Sequence, residues 1–133
     1  MARLRNASTF RIAASAARTA TTSFTSGGST SNGFAPPRGF QGVRVYISAT
    51  AKSATPSVVF TLEVKIPGTT TWVALATSAA LTDAGSAYLE VSPGAGVVSN
   101  KSVGGRIGKG FRVTATAGDS DSLTYSIYGE WLP

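Results

Sequence analysis

The sequence predicts an all-β fold, either an antiparallel β-sandwich or a jelly-roll-like barrel, preceded by an extended basic arm. Three observations carry that reading. Apolar residues recur with period two from residue 43 onward, and Gly, Pro and Asp clusters separate the runs. No segment after residue 40 sustains the period of 3.6 that a helix face requires.

The division falls near residue 39, with an arm at residues 1–38 and a β-sandwich domain at residues 39–133. The arm is rich in Ala, Ser, Thr and Arg. It passes through Gly27-Gly28 and Gly33 to Pro36-Pro37, which reads as a flexible linker stiffened at its end. Residues 13–20 have helix propensity in their alanines. Thr19, Thr21, Thr22 and Phe24 favour extended chain instead, and the strand is the reading adopted. An arm separated in this way predicts that deleting residues 1–38 leaves the domain folded.

Within the domain, residues 42–48 alternate Val43, Val45 and Ile47 with Arg44, Tyr46 and Ser48. Residues 58–66 do so more strictly. Val58, Phe60, Leu62, Val64 and Ile66 share one face, while Val59, Thr61, Glu63 and Lys65 share the other. Pro67-Gly68 then supplies a turn, and residues 71–77 return as the second strand of a hairpin. Further strands are expected at residues 87–91, 111–115 and 123–131, six or seven in all. The connection at residues 93–110 is long and holds six glycines, with only Val97, Val98, Val103 and Ile107 as core candidates. Loops of this length are usually functional or mobile.

Composition narrows the chemistry. The chain has no cysteine and no histidine, which removes thiol nucleophiles, thiolate metal sites and the commonest general base. Gly104-Gly105-Arg106-Ile107-Gly108-Lys109-Gly110 is not a phosphate loop. Its first glycine is one residue too close, Gly110 stands where Ser or Thr is needed, and a strand follows instead of a helix. Asp119 and Asp121 supply too few oxygens for calcium and suit an Asx turn. Glu63, Glu90 and Glu130 fall at outward positions of strands, where solvated charge is the default. The sequence therefore predicts a protein that is not an enzyme, with no cofactor and no metal. No apolar run reaches the ~18–20 residues of a membrane helix, and the N-terminus lacks an apolar signal segment.

The first 62 residues carry seven cations and no carboxylate, against five cations and six carboxylates in the rest. Arg3, Arg5, Arg11, Arg18 and Arg38 from the arm, with Lys101, Arg106 and Lys109 from the long loop, are the candidate partner interface. Four arginines over sixteen residues are too dispersed for a nucleic-acid arm, so a protein with an acidic surface is the expected partner. By parity, Tyr125 and Trp131 side with Ile127 in the core. Tyr46, Tyr88 and Tyr128 take the opposite face, where they suit a contact surface.

Residues 54–64 (Ala54-Thr55-Pro56-Ser57-Val58-Val59-Phe60-Thr61-Leu62-Glu63-Val64) carry a resemblance, as do the Ser92-Pro93-Gly94 turn and Phe111-Arg112-Val113-Thr114-Ala115-Thr116. With Asp119-Ser120-Asp121-Ser122-Leu123-Thr124-Tyr125-Ser126, this text resembles small β proteins of tailed bacteriophages over residues 40–133. The resemblance implies a β-sandwich virion protein at the capsid surface, made in the host cytoplasm without a signal peptide. The expected role is a decoration (cement) protein that stabilises the shell by laying its arm on the major capsid protein, as a dimeric or trimeric homo-oligomer. The alternative is a tail, baseplate or fibre module with a glycan- or receptor-binding role. A third reading, a small coat protein whose arm binds the genome, fits less well because this chain ends in a strand.

Overall fold

A computed structural model describes residues 9–26 and 32–133. Nine strands and no helix occur among them. They are β1 (Thr9–Arg18), β2 (Thr22–Phe24), β3 (Gly42–Lys52), β4 (Val58–Lys65), β5 (Trp72–Thr77), β6 (Gly85–Ser92), β7 (Ser102–Gly104), β8 (Arg112–Ala117) and β9 (Leu123–Leu132). One sheet has the order β1-β9-β3-β6-β7 and the other β2-β8-β4-β5. They pack face to face as a sandwich, because the alternation along each strand gives each sheet one apolar side.

The core lies between them. Val43, Val45 and Ile47 of β3 and Leu123, Tyr125 and Ile127 of β9 meet Phe60 and Leu62 of β4 and Val113 and Ala115 of β8, all fully buried. Alternation thus places β3, β4 and β9 correctly, with Ile66 alone of its series falling outside, exposed at the turn. The β4–β5 hairpin closes as expected: the Thr69 amide donates to the Ile66 carbonyl at 3.1 Å, and Gly68 takes φ +77°. Every ladder is antiparallel except β6–β7, which is parallel and short. Of the four core candidates in the long connection only Ile107 is fully buried, while Val97 is 82% exposed.

The larger departure concerns the arm. β1 pairs along its length with β9, and β2 pairs with β8. Residues 9–24 therefore contribute an edge strand to each sheet. Phe10 stacks on Trp131 (centroids 5.0 Å) and meets Phe34 and Phe111 at 5.6 and 6.2 Å. Its ring fills the space left open by Gly129, where an added Cβ would overlap it. Ala13 is buried in the same core. A boundary at residue 38 cuts through both sheets.

Arg18 fastens the far end of β1. Its guanidinium donates to the carbonyls of Ala14 at 2.7 Å and Tyr125 at 2.9 Å, and its Cζ lies 4.6 Å from the Tyr125 ring centroid and 5.0 Å from that of Phe24. Burial pushes the Tyr125 phenol above its ordinary range, partly offset by Arg18. The unfolded chain ionises this group near pH ~10, before the folded chain does. Stability is therefore full below that pH and falls as the pH rises through the folded value. Tyr125→Phe removes this component: denaturant midpoints from pH 8 to 11 should fall less steeply than in the parent, and equal slopes would refute the assignment.

Candidate functional site

The outward face of the five-stranded sheet is built from polar positions of β1, β9, β3 and β6. Register brings their aromatic residues into one row. Arg11 lies opposite Tyr128, Tyr128 opposite Tyr46, and Tyr46 opposite Tyr88. With strands ~4.8 Å apart, the row spans roughly 15 Å. Tyr46 and Tyr128 are 39% and 46% exposed, an unusual cost for rings that could have faced the core. Tyr88 is half-buried, with Lys101 Nζ and Arg44 Cζ at 5.4 and 5.5 Å from its ring centroid.

The neighbouring row is charged and internally hydrogen-bonded, with one guanidinium between two carboxylates. Glu130 lies opposite Arg44, and Arg44 opposite Glu90. Arg44 donates through Nε to Glu90 at 2.7 Å and through Nη1 to the Tyr46 hydroxyl at 3.3 Å. The Tyr46 hydroxyl in turn donates to Glu130 at 2.9 Å, and Ser92 donates to the other Glu90 oxygen at 3.1 Å. These bonds, to Tyr46 first and Glu90 second, hold the Arg44 guanidinium above its usual range. Glu90 and Glu130 are therefore not the freely solvated charges that strand parity suggests. Glu63 behaves likewise on the other sheet, accepting from Arg112 Nε at 2.7 Å and from Thr114 at 2.6 Å. On the far side of the tyrosine row runs a third row, Ser126, Ser48 and Ser86.

The sequence-derived interface residues divide among several places. Arg11 and Lys101 flank the two ends of the tyrosine row. Arg106 and Lys109 share a hollow at one end of the sandwich, and Arg38 is exposed in the β2–β3 connection. Arg18 is engaged within its own chain. Arg3 and Arg5 lie outside the described residues. Parity selected Tyr46, Tyr88 and Tyr128, but nothing in the sequence announces that they are direct neighbours, nor that Arg44 joins them to two carboxylates.

Among the described residues no three carboxylates converge on a point that could hold a metal ion. The face offers aromatic rings, hydroxyls and hydrogen-bonded charge, which is equipment for contact. No protein-family model matches the chain, and neither curated proteins nor solved structures gave a match.

Proposed function

We propose that the protein is a non-catalytic structural protein of a bacteriophage virion, a decoration protein that docks on the outer shell through the outward face of its five-stranded sheet. The observation that carries this reading is the in-register row Arg11–Tyr128–Tyr46–Tyr88. Tyr and Arg are the residue types that dominate binding energy at protein interfaces, and a ring already held by hydrogen bonds, as Tyr46 is, loses little entropy on docking. The resemblance to phage proteins over residues 40–133 supplies the setting. The backbone of residues 9–24 is committed to the chain's own sheets, so attachment is assigned to the sheet face, to which they contribute Arg11, instead of to a free arm. Many copies on a symmetric shell turn modest single-site affinity into tight coverage.

The double variant Tyr46→Ala, Tyr128→Ala removes the two most exposed rings. Its binding to shells depleted of the native protein should weaken by about 2 kcal/mol or more, roughly 30-fold, in co-sedimentation. Undiminished binding by a variant that still melts cooperatively would overturn the assignment.

A second reading, a tail or fibre module that binds glycans, is favoured by one observation. Beside the row lies a hollow of about 780 Å³ lined by Ser48, Ser86, Tyr88, Ser99, Asn100 and Lys101. Hydroxyls, an amide and an aromatic wall suit a sugar. Glycan-array binding that is lost with Tyr88→Ala, together with no affinity for shells, would favour this reading over the first.

A further inference from the structure

Apart from Tyr46 and Tyr128, the exposed large apolar side chains among the described residues gather on one flank, where β5 and β7 border their sheets on the same side of the sandwich. Ile66 and Val73 stand at one end of it, and Val97 and Val98 at the other. Val73 lies in β5, and just before that strand the Ile66 amide donates to the Thr71 carbonyl at 2.9 Å. Val97 and Val98 rim a hollow of about 290 Å³ whose walls include Leu75, Ala76, Thr77 and Val103. β5 holds no charged residue. Lys101 is the one charged residue lining the hollow, and its ammonium is turned onto the Tyr88 ring, 5.4 Å from the centroid. Apolar side chains gathered in this way on a surface mark a place of contact.

The loop that presents Val97 and Val98 is tied to itself. Val98 and Ser102 exchange backbone hydrogen bonds at 3.0 Å, and the Ser102 hydroxyl donates to the Gly96 carbonyl at 2.6 Å. Asn100 closes the turn between them at φ +65°, a conformation that asparagine adopts more readily than most residues. The two valines are therefore placed before any contact forms, and little loop entropy remains to be lost.

Three observations select what covers the flank. The chain carries a net charge of +6, so two copies repel one another except where they meet through uncharged surface. An acidic partner finds in the hollow only Lys101, already placed on Tyr88. A protruding valine at the rim of an apolar hollow is also self-complementary. Across a twofold axis, each copy can set its Val97 into the hollow of the other. The chain's remaining residues fit poorly. Residues 27–31 hold no apolar side chain, and residues 1–8 lead into β1, at the opposite edge of the five-stranded sheet.

We infer that this flank is the contact through which two copies of the chain associate. Leu75 is the extra residue where the β4–β5 register shifts, so β5 is not a flat template. The contact is made by side chains and not by a continued ladder. It leaves the tyrosine row free, and the inference does not depend on the docking role of that row.

Sedimentation equilibrium of the full-length protein over a wide range of concentration is the test, joined to methyl spectra of the same samples. The parent should dimerise reversibly, and the methyl resonances of Val97 and Val98 should shift in step with the dimer fraction. Val97→Asp alters a side chain that is already exposed, so the thermal midpoint of the dilute protein should stay near the parent's. Its dimer should be weaker by roughly tenfold or more. The variant Tyr46→Ala, Tyr128→Ala should dimerise as the parent does. Added salt should strengthen association, because it screens the repulsion between two positive chains. A chain that stays monomeric at every concentration, a dimer indifferent to Val97→Asp, or a dimer lost with the two tyrosines would overturn the contact.

Discussion

A chain shortened to residues 39–133 is expected to lose its cooperative thermal transition. The deletion strips β1 from β9 and β2 from β8. It also removes Phe10 and Phe34 from the cluster they form with Phe111 and Trp131, leaving those two large rings facing water. The point variant Phe10→Ala isolates part of this effect. It should lower unfolding free energy by about 3 kcal/mol, since truncating a core phenylalanine typically costs 3–5 and Phe10 is only partly buried. Urea denaturation measures it. A shortened chain that melts as sharply and as high as the parent would show that the first strands are dispensable, returning the arm to the status its composition suggests.

The second large effect concerns a glycine. Gly33 has φ +91°, and an added Cβ would overlap the carbonyl of Phe111. The bridge it protects pairs Phe34 with Phe111, with the Phe34 amide donating to Phe111 at 2.8 Å. Gly39 provides the control, because its φ is +93° but a Cβ there meets nothing within 4 Å. Gly39→Ala should cost only the backbone strain, about 1–2 kcal/mol. Gly33→Ala adds displacement of the bridge and of the Phe34 ring, so its loss should be about twice as large. Equal losses at the two sites would mean that the close approach is easily relaxed.

Most of the domain is legible because one face of each long strand is apolar and the other is not. Alternation at residues 43–48, 58–64 and 123–131 assigns strand type and facing together, including the burial of Tyr125 and Trp131. β1 escapes the same test for a physical reason. Register shifts between Arg11 and Ala13, and again between Ala13 and Ala16, break the period of two. Four of its ten residues are also alanine, whose small side chain marks neither face. β7 has three residues and too little sequence to declare itself. At the candidate site, parity shows which tyrosines point outward. Their adjacency depends on pairings between residues far apart in the chain, such as Arg44 with Glu90 and Tyr46 with Glu130. Only the register of three strands reveals them.

The bulges of β1 have a consequence for how many copies can share a small space. A ten-residue, alanine-rich strand at the border of a sheet is a template on which another chain can add, and repeated addition leads to fibrils. Here two bulges break the period of that border and twist it away from a flat ladder, and the Arg18 guanidinium ties the carbonyls of Ala14, Ala16 and Tyr125 together at 2.7, 3.4 and 2.9 Å. The arginine that looks in the sequence like a hand held out to a partner is instead closed on its own chain, and the broken period beside it makes this border a poor template for a second copy.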